Sequence, residues 1–262
     1  MQPLHSLLEE PVFRVELRGG GRAVLSLPEV LAGLGSGSVE EFSGLVAHQQ
    51  HPWHAFLVQV GALALRAGGV AGTDGLDDEE WRTLLIRLAG GVEEAWALVV
   101  PDLAKPAFMQ PPVPEGSLAS FGEPLARPDL LDLPVTAKNH DLKMGRVVAA
   151  HPDAWVYVLV TMQTCQGVSG RNWYGVARMN GGHGNRAGVG LSPGVSIAGR
   201  WRRDVRMLLE THDEVCMALG YPLATGRAVL WLEPWDGASS FPLHECDPWV
   251  VEIARRVRLD RD

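Results

Sequence analysis

Eight prolines fall between Pro101 and Pro134, a density that no long helix or strand survives. Each proline removes a backbone donor and biases the residue before it towards an extended conformation. The stretch is therefore expected to be an extended, surface-hugging connection. The fold must be assembled from the elements on either side of it.

Those elements can be read from periodicity and punctuation. Val12–Leu17 and Ala23–Leu27 flank Gly19-Gly20-Gly21, which predicts an N-terminal β-hairpin. Pro28 opens a short helix through Leu34, and Gly35 to Ser38 reads as a loop. Phe56, Val60, Leu63 and Ala67 recur at helical spacing ahead of the stop Gly68-Gly69. Asp77 and Glu80 form a capping-box pattern before Trp81, Leu84, Leu85 and Leu88, and Gly90-Gly91 ends or kinks that helix. Ala154 to Gln166 is ambiguous: its β-branched and aromatic content suits a strand, its length a buried helix. Trp201 to Leu219 predicts an amphipathic helix with Trp201, Val205, Leu208, Leu209 and Cys216 inward and Gly220 as its stop. Two apolar runs follow, Ala228–Leu232 and Val250–Leu259. The fold class expected is α+β: helices and small antiparallel sheets in one irregular globular domain over residues 1–262.

Composition narrows the function classes. Hydrophobic residues make up 46% and nine are Trp, which excludes a disordered chain. No apolar run reaches the roughly 18–20 residues of a membrane helix, and Met1 to Glu10 lacks a signal-peptide pattern. Cys165, Cys216 and Cys246 are far apart, which rules out a zinc ribbon on spacing and suits a reducing cytoplasm.

The charge is unevenly spread. Thr136 to Arg206 holds ten Lys or Arg (Lys138, Lys143, Arg146, Arg171, Arg178, Arg186, Arg200, Arg202, Arg203, Arg206) against Asp141, Asp153 and Asp204. That third is about +7 where the whole chain is −8, leaving about −15 for the remainder. A local positive field of this kind is what a phosphate backbone needs; a charge-segregated surface without a partner is the plainer reading.

Inside the basic third lies Asn180-Gly181-Gly182-His183-Gly184-Asn185-Arg186-Ala187-Gly188-Val189-Gly190, the start of a glycine-rich loop expected to run to Gly199. Glycines let a backbone lie close against another surface, and its exposed N–H groups can meet phosphate or base edges. Arg178 and Arg186 add charge. The segment also fits a dinucleotide fingerprint, but no apolar strand precedes it and no helix follows at once. DNA contact is expected from Arg178, Asn180, Gly181, Gly182, His183, Gly184, Asn185 and Arg186.

Other sites are weaker. His140-Asp141 resembles a phosphohydrolase doublet, with His151 and Asp153 as the nearest candidates to complete a metal shell. A metal-dependent phosphohydrolase or nuclease is the alternative this leaves open, although Lys138 and Lys143 suit phosphate contact instead. His48, His51 and His54 are three apart, but Pro52 disfavours helical geometry at His51 and is expected to start a new helix there. Gly167-Val168-Ser169-Gly170 lacks the spacing of a nucleophile elbow. Phe108-Met109-Gln110-Pro111-Pro112 is an apolar hook, more readily core than docking peg. No metal, cofactor or catalytic residue is assigned, and the chain is not expected to be an enzyme.

The order of these features resembles the CasA family, the large subunit of the type I-E CRISPR complex Cascade. The residues that carry the resemblance are Leu7-Leu8-Glu9-Glu10-Pro11-Val12, Leu25-Ser26-Leu27-Pro28-Glu29, the helix-rich stretch from Glu41 to Leu65, Pro106-Ala107-Phe108-Met109-Gln110, the glycine-rich loop and Cys246-Asp247-Pro248 through Leu259. The resemblance implies a non-catalytic subunit that reads the protospacer-adjacent motif in duplex DNA, with Gly181, Gly182 and Gly184 at that motif. It implies RNA or backbone-subunit contacts at Lys138, Asn139, His140 and Lys143. Other Cascade subunits, CRISPR RNA, target double-stranded DNA and a helicase-nuclease are the partners it implies. Family members run on into a C-terminal helical bundle, so the chain corresponds to the N-terminal domain, or to a short member without that bundle.

Overall fold

The structure is a computed structural model that describes residues 3–132, 150–165, 179, 194, 196–224 and 226–260. In chain order its elements are β1 (Leu4–Ser6), β2 (Phe13–Leu17), β3 (Gly21–Leu25), α1 (Leu27–Ser36), β4 (Val39–Phe42), α2 (Gln50–Gly68), α3 (Asp78–Leu88), β5 (Ala97–Val99), α4 (Pro128–Leu131), α5 (Pro152–Thr164), α6 (Ile197–Leu219), β6 (Arg227–Val229) and β7 (Cys246–Val251). The class is α+β, with the expected hairpin as β2–β3 and β4 added antiparallel on the other edge of β2. β1 pairs antiparallel with β5, but β6 and β7 run parallel, which departs from the all-antiparallel expectation. The chain between β6 and β7 is long enough to return to the starting end of the sheet, so a hairpin is not forced.

The caps follow the sequence. Ser26 and Glu29 make a reciprocal capping box at α1, and Asp77 and Glu80 make another at α3. Gly35 lies inside α1 rather than in a loop; the left-handed residue that stops the helix is Gly37 (φ 83°). His51 also differs from expectation. α2 starts at Gln50, directly after a 3-10 turn over Ala47–Gln49, and Pro52 sits within its first turn. A proline there removes an N–H that has no intrahelical partner anyway.

α2 is the central element, and almost everything from Phe56 to Leu65 is buried. A chain of rings runs along it. Trp53 stacks on Phe13 (5.2 Å) and meets Tyr157 edge-on (5.0 Å), while Phe56 meets Phe108 (5.6 Å). Trp96, Phe108 and Trp231 close the far end. Phe108 is 0% exposed, so the apolar hook is core and not a docking peg. α5 resolves the ambiguous stretch as a helix, buried from Val156 to Thr164. Burial on nearly all sides explains why neither periodicity showed in its sequence.

α6 lies against α2 across Gly61. Trp201 is fully buried there, and its indole donates to the Leu57 carbonyl at 3.0 Å. A β-carbon on Gly61 would stand 3.0 Å from Trp201 Cζ2 and 3.3 Å from Val205 Cγ2. Gly61→Val is expected to destabilise by about 1–3 kcal/mol through overpacking, read as a lower urea midpoint at unchanged m-value.

The final run, Val250–Leu259, is strand only to Val251, and beyond it the chain is stitched by side chains. Gln163 Nε2 donates to the carbonyls of Met109 and Arg255, and its Oε1 accepts from the amides of Ala254 and Arg255. Gln110 Oε1 accepts from the Leu259 amide at 2.6 Å. The Arg258 guanidinium donates to the carbonyls of Val100, Asp102 and Lys105. Arg256 pairs with Glu115 and lies over Phe121 at 4.6 Å, which ties the proline-rich connection to this tail.

Candidate nucleic-acid interface

The glycine-rich segment leaves and rejoins described structure at defined points. Met179, between Arg178 and Asn180 in sequence, is 0% exposed. Its amide donates to the Ile253 carbonyl at 2.9 Å and its carbonyl accepts from the Phe241 amide. Phe241 is itself capped by the Arg227 guanidinium, 3.7 Å from the ring centroid. On the other side Ser196 caps α6, its hydroxyl accepting from Gly199 at 3.2 Å. Gly199 is thus the third residue of α6, not part of the loop.

The expected contact residues themselves, Arg178, Asn180, Gly181, Gly182, His183, Gly184, Asn185 and Arg186, lie outside the described residues. So do Lys138, Asn139, His140, Asp141 and Lys143.

Four of the ten basic residues are placed, all in the first half of α6. Arg202 donates to the Gly35 carbonyl at 3.2 Å, and Arg203 holds Asp204 at 2.7 Å. Arg206 is 3.8 Å from Glu210, with both side chains well exposed. Arg200 Nε is buried without a hydrogen bond. Burial pushes the His54 imidazole below its ordinary value, the Asp204 hydrogen bond opposes this, and the Arg200 charge adds a smaller downward push.

The histidine series does not converge. His48 Nε2 lies 2.8 Å from Asp132 and His54 Nε2 lies 2.8 Å from Asp204, while His51 is exposed. Among the described residues no group of three or more His, Cys, Asp or Glu is arranged to hold a metal.

His151 and Asp153 do not offer a metal shell either. Asp153 is 0% exposed and takes Arg14 in a bidentate pair, Nε to Oδ2 at 2.8 Å and Nη2 to Oδ1 at 2.9 Å. His151 Nδ1 lies 3.1 Å from the same carboxylate while also capping α5. A β-carbon on Gly44 would fall 2.6 Å from Asp153 Oδ2, so nothing larger than glycine fits over the pair. Asp153 is the anchor of β2 to α5, fully used by Arg14.

One cluster was not anticipated from sequence. His212 is fully buried on α6, with Nδ1 3.0 Å from Asp213 and Nε2 2.9 Å from Asp247. Cys216, one turn on, places its sulfur 3.5 Å from Nδ1 and 3.7 Å from Nε2. Near-equal distances put the sulfur against the ring rather than in line with either nitrogen lone pair. A metal on one nitrogen would hold the sulfur near that atom and well away from the other. Both nitrogens are also committed to carboxylates, and burial and Asp247 push the thiol up from its ordinary value. A nucleophile needs the opposite shift and a free base. The cluster pins α6 to β7. The i, i+4 spacing of His212 and Cys216 was its one sequence signal.

The described residues therefore define an α+β domain in which Met179, the residue before the glycine-rich stretch in sequence, is fixed in the core, and α6 carries four arginines in its first half. No helix among them is long and apolar enough to cross a membrane. No protein-family model and no curated protein matches the chain. Among solved structures, Cse1 of Thermobifida fusca is similar over 90% of this chain and 44% of its own, at 17% sequence identity and a TM-score of 0.45.

Proposed function

We propose that this chain is a non-catalytic, DNA-reading subunit of an RNA-guided Cascade-type complex, working in the cytoplasm. The glycine-rich loop would meet a short motif in target duplex DNA. Lys138, Asn139, His140 and Lys143 would face the CRISPR RNA or the backbone subunits, and a helicase-nuclease would follow the opened DNA.

The observation that carries this reading is the rooting of an eleven-residue, glycine-rich stretch beside Met179. Met179 is held by two backbone hydrogen bonds in the core, and α6 is held through Trp201 and Ser196. A segment of low side-chain content between two fixed points suits entry into a minor groove about 6 Å wide, which a bulky side chain would not enter. Basic residues on both sides supply salt-dependent, sequence-independent affinity. Minor-groove readout is degenerate, and a short motif is all such a subunit must read when RNA–DNA pairing checks the rest. The order of motifs resembling the CasA family supports the same assignment.

Gly182→Val with Gly184→Val is the test. In the assembled complex the double variant is expected to lose discrimination between motif and non-motif duplex by roughly tenfold or more, at about 1–3 kcal/mol per lost contact. The salt slope of binding should remain, because the cations are untouched. Unchanged discrimination in a normally assembled complex would sink the reading.

A further inference from the structure

We propose that the exposed face of α6 is an interface between two copies of this chain, packed antiparallel about a two-fold axis that crosses this face at the level of Leu208, whose own side chain packs towards the core. The inference is independent of the nucleic-acid reading. Gly199, Arg203, Arg206, Glu210, Asp213 and Met217 recur at alternating four- and three-residue steps, so they share one stripe of the helix. That stripe faces away from the buried line of Ala198, Trp201, Val205, His212 and Cys216.

The charges along it form a palindrome. Arg206 and Glu210 stand symmetrically about Leu208, as do Arg203 and Asp213, Arg202 and Glu214, and Gly199 and Met217. A two-fold interface makes each residue of one copy face its mirror position on the other. Antiparallel pairing about Leu208 would therefore set Arg202, Arg203 and Arg206 each against a carboxylate, while Arg200, on the buried side, mirrors Cys216. It would also set the Met217 side chain, 71% exposed, against Gly199, whose added β-carbon would meet nothing outside its own turn.

The same order of charge is unfavourable within one helix. Cations in the N-terminal half and anions in the C-terminal half oppose the helix dipole. Arginine preceding glutamate at i, i+4 is also the weaker orientation of that pair. Within the chain Arg202 meets the Gly35 carbonyl, Arg203 meets Asp204, and Asp213 meets His212 and Arg66, so a second copy of opposite polarity would add pairs chiefly at Arg206 and Glu210, which are 3.8 Å apart and well exposed. Arg202, Arg206, Glu210, Asp213 and Glu214 are all exposed in the single chain. A helix of this length offers about 34 Å of contact with few apolar groups, which fits a weak, salt-sensitive dimer below the standard interface size.

Sedimentation equilibrium of the nuclease-treated wild-type chain tests this alongside Arg202→Glu/Arg206→Glu and Glu210→Arg/Glu214→Arg. Wild type should dimerise at low ionic strength and dissociate in about 0.5 M salt. Each variant alone should self-associate at least roughly tenfold more weakly, and an equimolar mixture of the two should associate again. If either double variant fails to fold by circular dichroism, the single changes Arg206→Glu and Glu210→Arg take its place. A wild type that stays monomeric at low salt, or variants that do not cross-associate, overturns the proposal.

Discussion

Arg14→Ala should destabilise the protein by about 3 kcal/mol, the low end of the range for breaking a buried ion pair. The carboxylate of Asp153 has no exposure, whereas the arginine side chain is 42% exposed. Removing the cation strands a buried charge with His151 and the residue-14 amide, 3.5 Å away, alongside it. Removing both charges is a different experiment. Arg14→Met with Asp153→Leu takes away the desolvated ions together, and buried pairs replaced by apolar groups often lose little. The double variant should therefore recover most of the loss, measured by urea denaturation with the m-value as a check on two-state behaviour. Equal losses in the single and double variants would show that Arg14 acts through packing of its stem, not through charge.

The pair also shows what a sequence can and cannot disclose. Arg14 and Asp153 are 139 residues apart, and neither sits in a motif. Short-range signals were legible: the capping box at α3, the proline that opens α1, the glycine stops after α2 and α6, and the hairpin around Gly19 and Gly20. Each of these is decided by residues within a few positions. α5 was ambiguous because a helix buried on nearly every side has no polar face to set a period. The parallel pairing of β6 with β7 depends on where a connection ends, which a three-residue and a six-residue strand do not encode.

The candidate site was legible in a different sense. Its residue types were visible as glycine density and charge imbalance, both properties of composition over a window. The fixing of Met179 was not. It depends on Ile253 and Phe241, more than sixty positions away, each offering only a backbone group. Likewise Phe108-Met109-Gln110 read as apolar, but nothing in sequence announced that Gln110 and Gln163 would be buried polar groups that hold the C-terminal tail alongside Arg258.

Gln163→Leu should be the most damaging change of similar volume, with a loss of about 4 kcal/mol or more. The side chain makes four hydrogen bonds from a position with no exposure. Leucine leaves two amides and two carbonyls buried without these partners, at roughly 1–3 kcal/mol for each group left unsatisfied. Local relaxation will recover part of this, since the tail between Ile253 and Leu259 has no ladder of its own to preserve. The recovery has a consequence. Met109, held in a left-handed conformation (φ 58°), loses the donor to its carbonyl, and a non-glycine residue rarely stays there without support. Ile253, next to the freed Ala254 amide, is also the acceptor for Met179. Amide exchange should therefore accelerate at Ala254, Arg255 and Met179 well beyond the global loss, while α1, α3 and the hairpin keep their relative protection. A uniform change across the chain would mean that the tail and the root of the glycine-rich segment are not one cooperative unit.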